Sequence, residues 1–355
     1  MNSHFWRGKR VFLSGHTGFK GSWLSLWLNQ LGAQVFGYSL PPPTSPSLYE
    51  QAVIEGVVDS TIGDVRDHKR LTDTVVRVAP DIIFHLAAQS IVLNSYKDPI
   101  ETYSTNVIGT GCLLDAARQL TARCAIVNVT TDKVYEDKGW LWSYRENDAL
   151  GGSDPYSSSK ACAELVAQAF SKSYLSKSEL QIMPIALANA RAGNVIGGGD
   201  WTPHQLIPDA VAAFARGRAV VIRNPRAIRP WQHVLDCLSG YMTLAEALYL
   251  EPERYSGSWN FGPADSGMQP VSRVVEVLAG GWGVDPAWVP ASEIFPHETA
   301  ELRINSEKAL RELNWTRNLP LDMALAWTAD WFVRHANAEK ARVLCTEQIG
   351  RYMSG

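Results

Sequence analysis

Tyr156 and Lys160 stand four residues apart at the start of a helical stretch, so they share one face, and an ammonium beside a phenol favours the phenolate. Such a pair can take a proton from an alcohol. Bringing a tyrosine from its ordinary pKa of ~10 to ~7 needs about 4 kcal/mol of differential stabilisation, which one lysine and a cationic ring can supply in a closed site. Upstream, Thr130 and Thr131 end an apolar run and lead into Asp132-Lys133, an acid and a base candidate beside a hydroxyl. An exposed polar loop explains the same residues. Gly15-His16-Thr17-Gly18-Phe19-Lys20-Gly21 sets three glycines where a strand turns into a helix, so that backbone can approach a pyrophosphate and helix N-terminal amides can meet its charge. The GxxGxxG spacing departs from GxGxxG, and a tight turn with close helix packing also calls for glycine. Together these features describe alcohol oxidation by hydride transfer to a nicotinamide.

The elements that must position these groups alternate. Lys9 to Ser14 reads as a strand, the helical pattern Trp23, Leu24, Leu26, Trp27, Leu28, Leu31 closes at Gly32, and Ala33 to Tyr38 reads as a second strand. A helix over Asp67 to Val78, a strand over Asp81 to Ala87 and a helix from about Pro99 to Leu120 follow. Then come a strand over Cys124 to Thr130, a helix over Ser157 to Tyr174 and a strand over Met183 to Ala190. This βαβ rhythm predicts an α/β fold: a Rossmann-like, doubly wound parallel sheet with ligands at the carboxyl ends of its strands. After Arg191 glycine, proline and tryptophan break the chain into shorter elements, so residues 1–190 are expected to bind the dinucleotide and 191–355 to form a smaller mixed α/β substrate lobe, with some segments crossing back. Asp64, in Gly63-Asp64-Val65, is a candidate acceptor for an adenine amine. The second strand ends Gly37-Tyr38-Ser39-Leu40 without the acidic residue that would take the ribose hydroxyls of NAD, so local chemistry leaves NAD and NADP open.

Composition narrows the alternatives. At 355 residues, 46% hydrophobic and 19% charged, the chain can bury a core of more than one lobe. Its net charge of −3 recruits neither nucleic acid nor an anionic membrane. No apolar run is long enough for a membrane span or secretion signal, which predicts a cytosolic protein. The five cysteines lie far apart without a CxxC pair, and the eight histidines are scattered, so neither a disulfide frame nor a metal site is expected.

Gly15 to Gly21, His85-Leu86-Ala87-Ala88-Gln89 and Tyr156-Ser157-Ser158-Ser159-Lys160 resemble the extended short-chain dehydrogenase/reductase superfamily, which works on nucleotide sugars. Thr131-Asp132-Lys133 looks like its sugar-nucleotide 4,6-dehydratase branch, whose thymidine-nucleotide members carry Thr-Asp-Glu there. Three longer stretches, Gly15 to Leu24, Arg191 to Trp201 and Ile228 to Val234, are similar to the CDP-glucose 4,6-dehydratases, and the likeness spans nearly the whole chain.

The resemblance implies a redox-neutral reaction on CDP-glucose with NAD as a returning hydride carrier. Tyr156, held by Lys160 and assisted by Thr131, would remove the C4 hydroxyl proton; Asp132 would protonate the departing C6 hydroxyl. Lys133 would act at C5, either as a neutral base or as a cation that stabilises the enolate. The resemblance further implies cofactor contacts at Gly15, His16, Thr17, Gly18, Phe19, Lys20, Gly21, Asp64, Val65, Leu86, Ala87, Ala88 and Thr105, beside Tyr156 and Lys160, with Lys20 and His16 standing in for the absent acid. For the substrate it implies Gln89, with Asn194, Arg229, Asn260 and His297 at the diphosphate and Leu206 and Ile207 at the nucleoside. A homodimer through two helices of each subunit, or a homotetramer, is the implied assembly. A dehydratase or epimerase of another nucleotide sugar, and a regulator that binds a dinucleotide without catalysis, stay open as alternatives.

Overall fold

The computed structural model describes residues 3–175, 185–292, 299 and 301–355. Twelve strands occur among them: β1 Arg10–Ser14, β2 Gln34–Ser39, β3 Asp59–Ile62, β4 Ile82–His85, β5 Cys124–Val129, β6 Ile185–Ala192, β7 Asn194–Ile196, β8 Val220–Ile222, β9 Ile228–His233, β10 Gly257–Phe261, β11 Met268–Pro270 and β12 Trp288–Pro290. Seven form one sheet in the order β10-β6-β5-β4-β1-β2-β3, every neighbouring pair parallel. β4 and β5 are buried at every residue, which is why they read as unbroken apolar runs: helices cover the sheet on both faces.

Strand order reverses on the two sides of β1, which makes the carboxyl ends of β1 and β4 the place where a crevice opens. The register aligns Ser14 with Tyr38 and His85, and His85 with Asn128, so the turns after β1, β4 and β5 share one rim. Below it, the Ser14 hydroxyl pairs with His85 Nδ1 at 2.7 Å and His85 Nε2 with Thr110 Oγ1 at 3.1 Å, tying the two strand ends and a helix together.

Several elements differ from the pattern in the sequence. The helix expected over Pro99 to Leu120 is helical over Pro99–Tyr103, widens into a π-helical turn at Ser104–Ile108 and resumes over Gly109–Ala117. Asn106, in the widened turn, donates to the Gln89 carbonyl at 3.0 Å and to Ser159 Oγ at 2.9 Å, so the bulge joins this helix to the rim and to the helix Pro155–Phe170. The strand expected from Met183 runs over Ile185–Ala192, Met183 and Pro184 lying outside the described residues. β3 had no expected element: its Asp-Ser-Thr-Ile sequence is that of a half-exposed edge strand. β10 returns to the large sheet from the later half of the chain, beside β6. The rest of that half forms a three-stranded sheet, β11-β9-β7, and a pair, β12-β8, and together these wall the far side of a cleft.

Candidate active site

The turn after β1 is shaped by close approach. Gly15 sits at φ +79°, and a Cβ there would lie 2.7 Å from the Ala87 backbone nitrogen. A Cβ on Gly21 would collide with the Gly15 carbonyl oxygen. Gly18 caps the helix Phe19–Gln30 with extended backbone and no side-chain bond, and no acidic residue occupies the first turn. The amides at that helix end are therefore open to an anion, and the residues present fit the pyrophosphate of a dinucleotide. Gly15→Ala is expected to lower NAD affinity at least about tenfold and to lower the melting temperature, since alanine at positive φ costs about 1–2 kcal/mol before the clash with Ala87. Equilibrium NAD titration with a thermal melt checks both.

The other expected cofactor residues divide. Phe19, Leu86, Ala87 and Ala88 lie half-buried along the rim, and Thr105 sits in the π-helical turn. Thr17 is buried, its hydroxyl donating to the Leu40 carbonyl at 2.9 Å. Val65 packs under Gly109. His16, expected to stand in for the absent acid, is buried against Gly37, its Nε2 paired with Ser60 Oγ at 2.7 Å, and burial pulls its pKa down to about 4, so the ring is neutral. Nor is Asp64 a free acceptor. Its carboxylate is held by the Arg66 backbone at 2.8 Å and by the Arg66 guanidinium at 2.6 Å, and that hydrogen bonding keeps its pKa below the usual range. Lys20 is half-buried, and its charge is felt by Lys160 and Asp132 among the reaction candidates.

At the end of β5 the chain enters a single 3-10 turn, Asp132–Val134, capped by the Thr131 hydroxyl, which accepts from the Lys133 amide at 3.3 Å and donates to Asp132 Oδ1 at 3.0 Å. Asp132 is 1% exposed, and its Oδ2 has no partner among the described residues. Burial raises its pKa against the opposing pull of Lys133, the Thr131 hydrogen bond, Arg229 and Lys20, so the carboxyl is biased towards the protonated, donating form. The helix Pro155–Phe170 starts with Asp154 accepting from the Ser157 amide at 2.9 Å and proline in its first turn. This brings Tyr156 against Thr131, whose hydroxyl works against the rise in the phenol's pKa.

The phenolate expected from the Tyr156/Lys160 spacing is not what the protein alone favours. The Lys160 ammonium donates to the Val129 carbonyl at 3.1 Å, and burial drives the Tyr156 pKa well above its ordinary value. Burial, with Lys20 adding to it, lowers Lys160 to about 8. Burial thus disfavours both charged forms, leaving the phenol neutral and the lysine, near 8, still mostly protonated at neutral pH.

Lys133, Asn194, Leu206 and Arg229 line the cleft, and Tyr135 and Tyr144 join them as a stacked pair, ring centroids 4.9 Å apart. Neither tyrosine was singled out from the sequence; the only signal for Tyr135 was its place two residues after Lys133. Three expected substrate contacts lie elsewhere. Asn260 is fully buried, its amide donating to the Tyr144 and Asn305 carbonyls and its oxygen accepting from the Tyr135 hydroxyl at 2.7 Å. Ile207 is 4% exposed and packs into the core. The Gln89 amide is engaged by Ile91 and Thr102. His297 lies outside the described residues. Among the described residues, no group of three or more His, Cys, Asp or Glu could hold a metal ion, and no helix is long and apolar enough to cross a membrane.

The family model described as GDP-mannose 4,6 dehydratase matches residues 12–255. A CDP-glucose 4,6-dehydratase of Salmonella typhimurium is 46% identical over 354 residues, spanning 100% of this chain and 99% of the relative. Among solved structures, MoeE5 in complex with UDP-glucose and NAD superposes with a TM-score of 0.76 at 25% identity, covering 92% of this chain and 99% of that one. The NAD complex of a Bacillus anthracis dTDP-glucose 4,6-dehydratase, at 23% identity and a TM-score of 0.75, covers 94% and 99% and shares the fold. A likeness carried from end to end at this depth makes the chain a member of the nucleotide-sugar 4,6-dehydratase family within the extended short-chain dehydrogenases/reductases.

Proposed function

We propose that this protein converts CDP-glucose to CDP-4-keto-6-deoxyglucose, with NAD as its cofactor. The observation that carries the reading is one hydroxyl, Thr131, that donates to a buried carboxyl and lies against a buried phenol, with Lys133 on the wall of the adjoining cleft. When bound, NAD supplies the acceptor for the hydride of C4, the donor that returns it to C6, and a positively charged ring. Tyr156 takes the C4 hydroxyl proton, with Thr131 aligning it. The resulting ketone acidifies C5, where Lys133 acts, and Asp132 gives its proton to the C6 oxygen so that it leaves as water. Arg229 and Asn194 are assigned to the diphosphate and Leu206 to the nucleoside. Cytidine as the base is supported by the full-length Salmonella relative.

An epimerase is the second reading, because a UDP-glucose 4-epimerase of Halalkalibacterium halodurans is 28% identical over 92% of this chain. Simple epimerisation at C4 has no use for a buried proton donor beside the Tyr156 partner, which favours dehydration. The deciding experiment is a panel of CDP-, UDP-, dTDP- and GDP-glucose in deuterated water. A 6-deoxy-4-ketone labelled at C5, formed fastest from CDP-glucose, is the expected result; a C4 epimer, or no label at C5, overturns it.

A cytoplasmic homodimer or homotetramer is part of the same reading. The assembly is supported by exposed apolar side chains on the two segments expected to pair, 106–120 and 157–174: Ile108 at 58%, Leu165 at 54% and Tyr174 at 52% exposure.

A further inference from the structure

Behind the segment that carries Asp132 and Lys133 lies an ion pair not used above. Glu164 follows Lys160 by one helical turn, Arg191 belongs to β6, and their side chains are 0% and 2% exposed. Arg191 grips both carboxylate oxygens, Nη2 to Oε2 at 2.6 Å and Nε to Oε1 at 2.9 Å. So deep a pair carries a large desolvation penalty, and replacing such pairs with apolar side chains is often neutral or stabilising, so stability is weak grounds for its presence.

Two of its other hydrogen bonds point to a second role. Thr130 Oγ1 donates to Glu164 Oε1 at 2.6 Å, and Arg191 Nη1 donates to the Tyr135 hydroxyl at 2.8 Å. Thr130 and Tyr135 bracket the residues Thr131 to Val134. Both ends of the acid–base segment are therefore tied to one buried pair, while the middle of the segment meets the cleft through Lys133. Tyr135 is fixed further by Asn260, and its ring by the stack on Tyr144. The same helix holds the preceding residue as well, since Lys160 binds the Val129 carbonyl.

We propose that Glu164 and Arg191 are positioning residues for the water-loss step: by anchoring Thr130 and Tyr135 they hold Asp132 dry and aligned, and they act on C4 chemistry only weakly. Neither lines the cleft, so each acts through the segment it anchors. Displacing an acid by as little as about 1 Å can cost 10²-fold in rate, which is the scale on which an anchor matters. The proposal rests on Asp132 being the proton donor.

The test uses the full-length protein and the near-isosteric variants Thr130→Val and Tyr135→Phe, each of which removes one anchor, beside Glu164→Gln. Asp132 is titrated by NMR with carboxyl-labelled aspartate, its signal assigned with Asp132→Asn. Products from CDP-glucose are sorted into 4-ketone with the C6 hydroxyl retained and 4-ketone without it. Each anchor variant is expected to move the Asp132 titration about one unit towards that of an ordinary aspartate. Each is also expected to slow water loss about 10- to 100-fold, with KM within about threefold, so that in a single turnover the C6-hydroxylated ketone builds up with an equal amount of reduced NAD before water is lost. A lower melting temperature with an unchanged Asp132 titration and an unchanged product ratio would overturn the proposal and leave the pair a structural one. If Glu164→Gln does not fold, the two anchor variants decide. Should Asp132→Asn itself leave water loss intact, the failure belongs to the site reading on which the proposal stands; should Asp132→Asn abolish it while both anchor variants match wild type, the positioning role alone is wrong.

Discussion

Tyr156→Phe is expected to lower kcat for CDP-glucose by about 10³-fold, within the 10²- to 10⁴-fold range of a lost general base, while leaving the fold intact. The ring is 8% exposed and keeps its packing without the hydroxyl, and Thr131 retains its bonds to Asp132 and to the Lys133 amide. The size of the loss follows from the environment. Burial makes the Tyr156 phenolate costly in the protein alone, so its formation depends on cationic groups brought close to it, and Lys160, at about 8, remains mostly protonated at neutral pH. Without the phenol, the Lys160 ammonium, which donates to the Val129 carbonyl, cannot take its place as base. Steady-state kinetics and a thermal melt of the variant check this. Residual kcat within tenfold of wild type, with an unchanged melt, would remove Tyr156 from the role of base.

What could be read from the sequence was whatever a local pattern determines by itself. The apolar runs of β4 and β5 are strands because both faces are covered, and Gly15 to Gly21 forms a turn against Ala87 that admits no side chain at Gly15. Thr131 to Lys133 and Tyr156 to Lys160 come together because the helix Pro155–Phe170 begins against the turn in which β5 ends. Illegible were the features set by partners distant in the chain. β3 is an edge strand without an apolar signature, and β10 joins the sheet through β6, some 65 residues earlier. The π-helical turn owes its place to Asn106 reaching Gln89 and Ser159. Charge states suffered most: the four-residue spacing of Tyr156 and Lys160 put them on one face but gave no hint that Val129 takes the ammonium, and the burial that neutralises His16 is invisible in its motif. Asn260 was expected at the diphosphate, and only the fold shows it reaching the cleft through Tyr135.

Asp132→Asn separates the two halves of the proposed chemistry and is expected to raise stability where wild type loses it. The amide conserves shape and can still accept from Thr131, but it cannot give up a proton to the C6 oxygen. Formation of the 6-deoxy-4-ketone is expected to fall about 10²- to 10³-fold, while C4 oxidation persists and nucleotide-linked 4-ketoglucose with its C6 hydroxyl retained appears, limited to one equivalent per NAD because the hydride stays on the reduced cofactor when no water is lost. Mass spectrometry of the products reads this directly, and a wild-type yield of 6-deoxy product would exclude Asp132 as the donor. Stability supplies an independent check. Burial raises the Asp132 pKa in the folded protein, so above about pH 4, the ordinary value for aspartate, the unfolded chain holds fewer protons than the folded one. The contribution of Asp132 to stability therefore declines as pH rises from about 4 through its elevated folded pKa, and is flat beyond it. A carboxamide at this position does not titrate and shows no such decline, so the melting temperature of Asp132→Asn should match wild type below about pH 4 and exceed it at neutral pH. A variant that matches wild type below about pH 4 but is less stable at neutral pH would mean that Asp132 is ionised and well paired in the folded state, which is incompatible with its giving a proton to a leaving hydroxyl.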